Sequence, residues 1–349
     1  MSIWRRVLTA AIFLFSSGVI ASSAFASPQR IIIDTDPGTD DAMAILLALT
    51  SPELIVEALT VVPGNVDGAQ GLENALKLVT LAGRTDIPVA AGAHKPLIQT
   101  LVTAESHGTT GLGNVDLPSP EKQKDSRFGP DLIIELVHKY PGEITIVPMG
   151  PLTNLALAVS KDPSIAKLTR EVVLMGGSIT GGNVDAVAEF NIYVDPEAAQ
   201  IVFQAGWPLT MVGLEIGRMS QFKEEHLARL RQTHGTLNDF ASDLLAYRIE
   251  SSRKWGYEGT PIYDATALAA VIDRTLIATE FMHVNVELCG QYTRAQTVGN
   301  RQNGLNRKVP KGDHLTFQGV EPLAPNTHVA TSIDEERFLD LLITRLSGK

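Results

Sequence analysis

A single cysteine, Cys289, is all the chain carries, so no intramolecular disulfide can form and stability has to come from an ordinary apolar core. The 44% of hydrophobic residues is enough to build one. Basic residues are scarce, 29 Lys and Arg against 39 Asp and Glu. An acidic chain of this kind is a poor match for nucleic acid, whose binding rests on Lys and Arg set against phosphates. Past residue 26 no run is long and apolar enough to cross a bilayer. No Pro/Ser-rich linker, repeat or low-complexity tract marks a domain boundary, so residues 27–349 read as one large domain.

The first 26 residues have the form of a secretory signal. Arg5 and Arg6 start it, Val7 to Ile20 is mostly apolar, and Ala24-Phe25-Ala26 is a small-x-small cleavage pattern. The apolar run is broken by Ser and Gly and is short for a membrane anchor. Its removal takes away two arginines and no acid, moving the formal net charge from −10 to −12. The expected location is therefore exported, periplasmic or secreted.

The chemistry concentrates in Ile31 to Thr50, IIIDTDPGTDDAMAILLALT. Three isoleucines read as a strand buried on both faces, Pro37-Gly38 as a turn, and Ala42 to Leu49 as a helix. At the joint stand Asp34, Asp36, Asp40 and Asp41. A helix N-terminus favours one anion by about 0.3–1 kcal/mol, too little to hold several like charges a few ångströms apart. Either some of these carboxyls are protonated or a cation lies among them. All the donors are hard oxygens with no His or Cys beside them, which points to calcium or magnesium and away from zinc.

Along the rest of the chain, strands and helices alternate. Strands are expected at 54–62, 87–91, 144–147, 172–175 and 209–214, with helices between them. This predicts an α/β fold, an open and mainly parallel sheet with helices on both faces and its strand carboxyl ends on one edge. The segment 94–127 is long, polar and turn-rich, which in a compact domain marks function or mobility. Residues 215–257 read as polar helices covering the sheet edge. Antiparallel strands are expected within 283–298, then a last strand at 328–331 and a helix at 335–346.

DTDPGTDD, PGN at 63–65, PMGPLTNLA at 148–156, LMGG at 174–177, GNVDAVAEFN at 182–191 and Asp264 together resemble the inosine–uridine-preferring nucleoside hydrolases. The match runs over nearly the whole of 27–349 in that family's order. The resemblance implies a Ca²⁺-dependent N-ribosyl hydrolase that splits ribonucleosides into base and ribose, a small-molecule substrate with no phosphate to repel. It implies metal ligation by Asp36, Asp41, Asp264 and the Met149 backbone oxygen. Asp36 would also take the proton from a water activated by the metal. Asp40, Asn65, Met175, Asn183, Glu189 and Asn191 would hold the ribose, and Phe190 would pack near the base. A homo-oligomer, dimer or tetramer, is the family expectation.

One departure concerns the leaving group. Many relatives have His at the position of Tyr263, where it is thought to protonate the base. A tyrosine, with an unperturbed pKa near about 10, is a weaker acid at neutral pH. His107, in the motif SHGTTGLG, is the candidate to supply the proton from a loop folded over the site. Two rival functions remain open. An exported nucleoside-binding protein could use the same pocket without turnover. A haloacid-dehalogenase-like phosphatase also begins with Asp-x-Asp after a strand, but wants Thr or Val where this chain has Gly38. An EF-hand loop starting at Asp34 fails because its fifth and sixth positions hold Gly38 and Thr39.

The export expectation has a direct check. Mass spectrometry of the exported protein should show a chain beginning at or near Ser27, and a chain still carrying Arg5 and Arg6 would make the segment an anchor.

Overall fold

Ile31, Ile32 and Ile33 are fully buried in strand β1 (Gln29–Thr35), and the sheet is built outward from it. In this computed structural model residues 27–300 and 323–348 are described, and the expected signal at 1–26 lies outside them. Ten strands follow: β2 (Leu54–Val61), β3 (Val89–Ala91), β4 (Ile144–Pro148), β5 (Glu171–Met175), β6 (Leu209–Val212), β7 (Gln221–Phe222), β8 (Thr260–Pro261), β9 (Ile277–Val286), β10 (Thr297–Asn300) and β11 (Thr327–Ile333). Nine of the eleven form one sheet in the order β10-β9-β11-β6-β5-β4-β1-β2-β3, while β7 and β8 pair separately. From β11 to β3 every neighbouring pair is parallel. β9 is antiparallel to both β11 and β10.

Alternation along β1 divides the core. Ile31 and Ile33 face one layer with the helices Thr39–Leu49, Gly68–Leu81, Tyr263–Ile272 and Glu335–Leu346. Ile32 faces the other, with Gly129–Lys139, Thr153–Lys161 and Pro196–Gln204. A strand enclosed on both sides needs an unbroken apolar run, which is what this one has. Each such side chain contributes roughly 1.5–3 kcal/mol by leaving water.

Two expectations are adjusted. The antiparallel pair is longer than 283–298, because β9 begins at Ile277 and lies beside β11 as well as β10. The polar segment 215–257 does not cap a sheet edge. Its long helix, Thr236–Arg253, packs on the helices Thr39–Leu49, Glu224–Leu230 and Glu335–Leu346. Phe240, Leu244, Leu245 and Ile249 give that helix an apolar stripe at helical spacing, and a helical layer is what buries such a stripe.

The connectivity places the site. The chain runs from β1 outward through β2 and β3, then returns to the opposite side of β1 as β4. Loops leaving β1 and β4 therefore part in opposite directions, which opens a crevice at their carboxyl ends. Beneath it, Asp34 locks the crevice walls together. Its Oδ1 accepts from Thr60 Oγ1 at 2.5 Å on β2 and from Asn154 Nδ2 at 2.8 Å on the helix after β4. Asn154 also donates to the Val61 carbonyl at 3.1 Å and accepts from the Ala93 N–H at 2.8 Å. Asn154→Ala removes three buried hydrogen bonds, worth about 0.5–1.5 kcal/mol each, and leaves the Ala93 N–H with no partner, at about 1–3 kcal/mol. Denaturant unfolding should show a loss of about 3 kcal/mol or more, and a loss below about 1 kcal/mol would mean that the network is dispensable.

Candidate active site

Four acidic side chains meet at the crevice. Asp36 leaves β1, Asp40 and Asp41 lie in the first turn of Thr39–Leu49, and Asp264 lies in the first turn of Tyr263–Ile272. All four are buried, Asp36 and Asp41 completely. Ligand oxygens of Asp40, Asp41 and Asp264 come within 4.8 Å of one another. Asp36 adjoins them, close enough for its charge to be felt at Asp264.

Some of these oxygens are well held. Asp41 accepts from Thr35 Oγ1 at 2.6 Å, Gly38 N at 3.0 Å and Asn65 Nδ2 at 2.9 Å. Asp36 Oδ2 accepts from Asn65 N at 2.7 Å. Asp36 Oδ1 and Asp40 Oδ1 are buried with no protein partner. Burial, with the repulsion of Asp41 and then Asp40, pushes the Asp36 carboxyl well up. Burial and the charges of Asp41, Asp40 and Asp36 do the same to Asp264. Asp41 is raised to about 6, chiefly by burial and then by Asp40. No Lys or Arg among the described residues pairs with these acids, and the one ion-pair neighbour of the group is His107, 3.7 Å from Asp40. Orphaned buried oxygens in an all-oxygen cluster fit a hard divalent cation.

The cluster floors a cavity of about 350 Å³. Its rim comes from three separate stretches. The loop after β5 contributes Asn183, Val184, Glu189, Phe190 and Asn191, the segment 102–107 contributes Val102 and His107, and the late helices contribute Arg248 and Tyr263. Met149 and Met175, at the ends of β4 and β5, line it as well. Asn191 Nδ2 donates to the carbonyls of Met149 at 2.8 Å and Met175 at 3.2 Å, tying the two strand ends together. Glu189 caps the helix Phe190–Val194, its two oxygens accepting from the N–H groups of Asn191, Gly177 and Ile192. Burial raises it to about 7. Asn183 Oδ1 accepts from Phe190 N at 3.0 Å, which closes the loop on itself.

His107 lies in a short turn, Glu105–His107, and its Nδ1 accepts from Thr39 N at 3.0 Å with Thr39 Oγ1 at 2.9 Å. That N–H belongs to the helix start and would otherwise lack a partner. Accepting it puts the ring proton on Nε2 and keeps the imidazole neutral. Burial lowers its pKa to about 4. The sequence made His107 the candidate proton donor, and with Nδ1 accepting from Thr39 the proton it carries is the one on Nε2. Gly38 makes the arrangement possible, because a Cβ there would lie 2.6 Å from both His107 Nδ1 and Asn65 Nδ2. Tyr263 packs over Gly217, where a Cβ would come within 2.1 Å of its ring, and burial raises its hydroxyl to about 12.

Two partners carried no motif of their own, since Glu215 and Arg248 enter from distant segments, and Asn154 lay inside PMGPLTNLA with no role read for it. Glu215 Oε1 accepts from Ser178 Oγ at 2.8 Å and Thr180 Oγ1 at 3.0 Å and so anchors the loop after β5. Thr35 and Thr39 sat inside DTDPGTDD and could have been read as supports for Asp41 and the turn. Arg253 and Trp255, close along the chain to Arg248, stay outside the cavity. Arg253 pairs with Glu224, and Trp255 is 80% exposed.

An all-oxygen carboxylate cluster that could hold a metal, at the switch point of a mainly parallel α/β sheet and on the floor of an open cavity, is a ligand site of the kind that open α/β enzymes use. The model of the inosine-uridine preferring nucleoside hydrolases matches residues 31–340. The pyrimidine-specific ribonucleoside hydrolase RihA of Citrobacter koseri is 39% identical over 320 residues, covering 91% of this chain and 97% of that one. Its counterpart in Photobacterium profundum is 38% identical over 323 residues, covering 92% and 99%. Among solved structures, a plant nucleoside hydrolase superposes with a TM-score of 0.84 at 35% identity, covering 92% of this chain and 99% of its own. A purine-preferring ribonucleoside hydrolase from Gardnerella vaginalis gives 0.82 at 32%, covering 92% and 98%. The chain belongs to the inosine–uridine-preferring nucleoside hydrolase family, and it is an N-ribosyl hydrolase acting on ribonucleosides.

The raised carboxyls have a consequence for the metal-free protein. Asp34, raised to about 7 by burial, Asp41 and Glu189 are protonated in the folded chain over a range where the unfolded chain ionises them. Their contribution to stability is complete below about pH 4 and is lost as pH rises through 6 to 7. With a chelator present, the melting temperature should fall from pH 5 to pH 7.5, and a divalent cation should restore most at the upper end. A chelated protein whose melting temperature is flat across that range would contradict the assignment.

Proposed function

We propose that the protein hydrolyses the N-glycosidic bond of ribonucleosides with a Ca²⁺ ion at Asp36, Asp41, Asp264 and the Met149 carbonyl. The observation that carries this is the buried carboxylate cluster with unpartnered oxygens and no Lys or Arg paired with it among the described residues. Asp40 stands at metal-ligating separation from Asp41 and Asp264, so it faces both the ion and the sugar. Ca²⁺ there would supply a charge that holds oxygen ligands and makes a nearby water more acidic.

The chain's own groups do the rest. Asp36 presents its free Oδ1 as the base that takes a proton from the attacking water. Asn65, Asn191 and Glu189 are fixed by backbone bonds and set the sugar's orientation. As the bond breaks, positive charge grows on the ribose, and the packed carboxylates stabilise it. The curated relatives' names favour pyrimidine ribonucleosides as substrates, and a cavity of about 350 Å³ suits a single nucleoside. Residues 1–26 are proposed as the export signal, which places the enzyme outside the cytoplasm. We further propose a homo-oligomeric enzyme.

Metal analysis of the purified protein should find one Ca²⁺ per chain. Chelation should abolish release of free ribose from uridine, and added Ca²⁺ should restore it. Asp36→Asn should lower kcat on the order of 10²–10⁴-fold. Zinc in place of calcium would overturn the metal assignment. Tight nucleoside binding without base release would favour the binding-protein reading.

A further inference from the structure

Hydrolysis has to dispose of the charge on the departing base as well as that on the sugar. Neither ring beside the cavity is a ready proton donor. His107 uses Nδ1 as an acceptor for Thr39, and Tyr263 is a phenol packed over Gly217. One cation remains. Arg248, half-buried on the helix Thr236–Arg253, is the one Lys or Arg among the described residues that line the cavity. It has no hydrogen-bonded or ion-paired side-chain partner among them, whereas nearby Arg218 donates to the carbonyls of Gly181 and Gly182. Its charge is felt at both His107 and Tyr263, so it sits at their end of the cavity.

The helix is fixed in that position. The ring of Tyr247, one residue earlier, lies against Gly113, and its hydroxyl lies near Gly108, in the loop that carries His107. None of the cavity's carboxylates pairs with this guanidinium, so its charge is left for a ligand in the cavity. A guanidinium cannot serve as the acid, since it keeps its protons. It can donate two directed hydrogen bonds to a carbonyl oxygen and stabilise negative charge there.

We propose that Arg248 is a further catalytic residue, which donates hydrogen bonds to a ring carbonyl of the departing base and holds it as an anion. The inference rests on the nucleoside hydrolase reading of the same cavity. The electron pair of the C1′–N bond leaves with the base and is spread onto the carbonyl oxygen facing Arg248. The water oxygen forms the new bond to C1′, and its proton goes to Asp36. The base anion takes its proton from solvent after departure.

The test compares two substrates on the Ca²⁺-loaded, full-length enzyme. Uridine has a poor leaving group, whereas p-nitrophenyl riboside releases a phenolate that is stable unaided. Arg248→Ala should lower kcat on uridine by about 10²–10³-fold, the usual range for losing one charge-stabilising donor. The loss on p-nitrophenyl riboside should stay under about tenfold. Arg248→Lys should recover part of the uridine rate, and added guanidinium should rescue Arg248→Ala on uridine alone. Equal losses on both substrates would overturn the proposal and make the contact one with the sugar or the fold. So would an unchanged uridine rate. If the unsubstituted enzyme cleaved neither substrate, the hydrolase reading itself would fall. If it cleaved both and Arg248→Ala behaved unselectively, only the role of Arg248 would fall.

Discussion

Four carboxylates buried at the end of one strand repel one another, and much of the structure exists to hold them there. Asp36 and Asp41 are fully buried, so within the protein their charge is stabilised mainly by fixed donors. Thr35, Gly38 and Asn65 supply these to Asp41, and the Asn65 N–H supplies one to Asp36. These donors do not balance the charge, as the upward displacement of Asp36, Asp41 and Asp264 shows. A group of acids so displaced is unfavourable to folding unless a cation or shared protons complete it. The same imbalance suits the site to a substrate on which positive charge develops.

Position follows from topology. The crevice is where β1 and β4 part, and the two sides are joined beneath it by Asp34, Thr60 and Asn154. Asp34 is therefore a support for the site and not one of its ligands, although it sits in the same motif. Met149 and Met175 reach the cavity because β4 and β5 end at the same edge as β1, and Asn191 binds both of their carbonyls.

The opposite wall is built differently. The segment 94–127 is docked and not free: Asn74 donates to the carbonyls of Pro37 and Thr110, and the Ala104 N–H donates to Asn65. Docking brings His107 onto the start of Thr39–Leu49, where it satisfies a helix donor and stays uncharged. The helix Thr236–Arg253 packs against this loop through Tyr247 and brings Arg248 to the cavity. One end of the cavity is thus acidic, and the other carries the one guanidinium among the described residues that line it, a polarity that suits the charges of a breaking glycosidic bond.

Much of this was legible in the chain. Three consecutive isoleucines, strand–helix alternation and the acids of DTDPGTDD are local signals, because burial on two faces and helix starts leave their mark within a few residues. From these alone came the parallel sheet, the edge that holds the site and the hard-oxygen character of its donors. The order of motifs added Asn65, Asn183, Glu189, Asn191 and Asp264. Charge state and orientation were not legible. His107 read as an acid from its residue type, yet its neutral form is set by an N–H 68 residues away. Glu189 read as a sugar ligand, and the part it also plays in capping the helix Phe190–Val194 was not legible. Arg248 sits in an ordinary polar helix, and only the packing of Tyr247 on a distant loop brings it to the cavity. Residue type and short-range pattern are written in the sequence. Protonation, partner choice and facing depend on groups that only the folded chain brings within hydrogen-bonding distance.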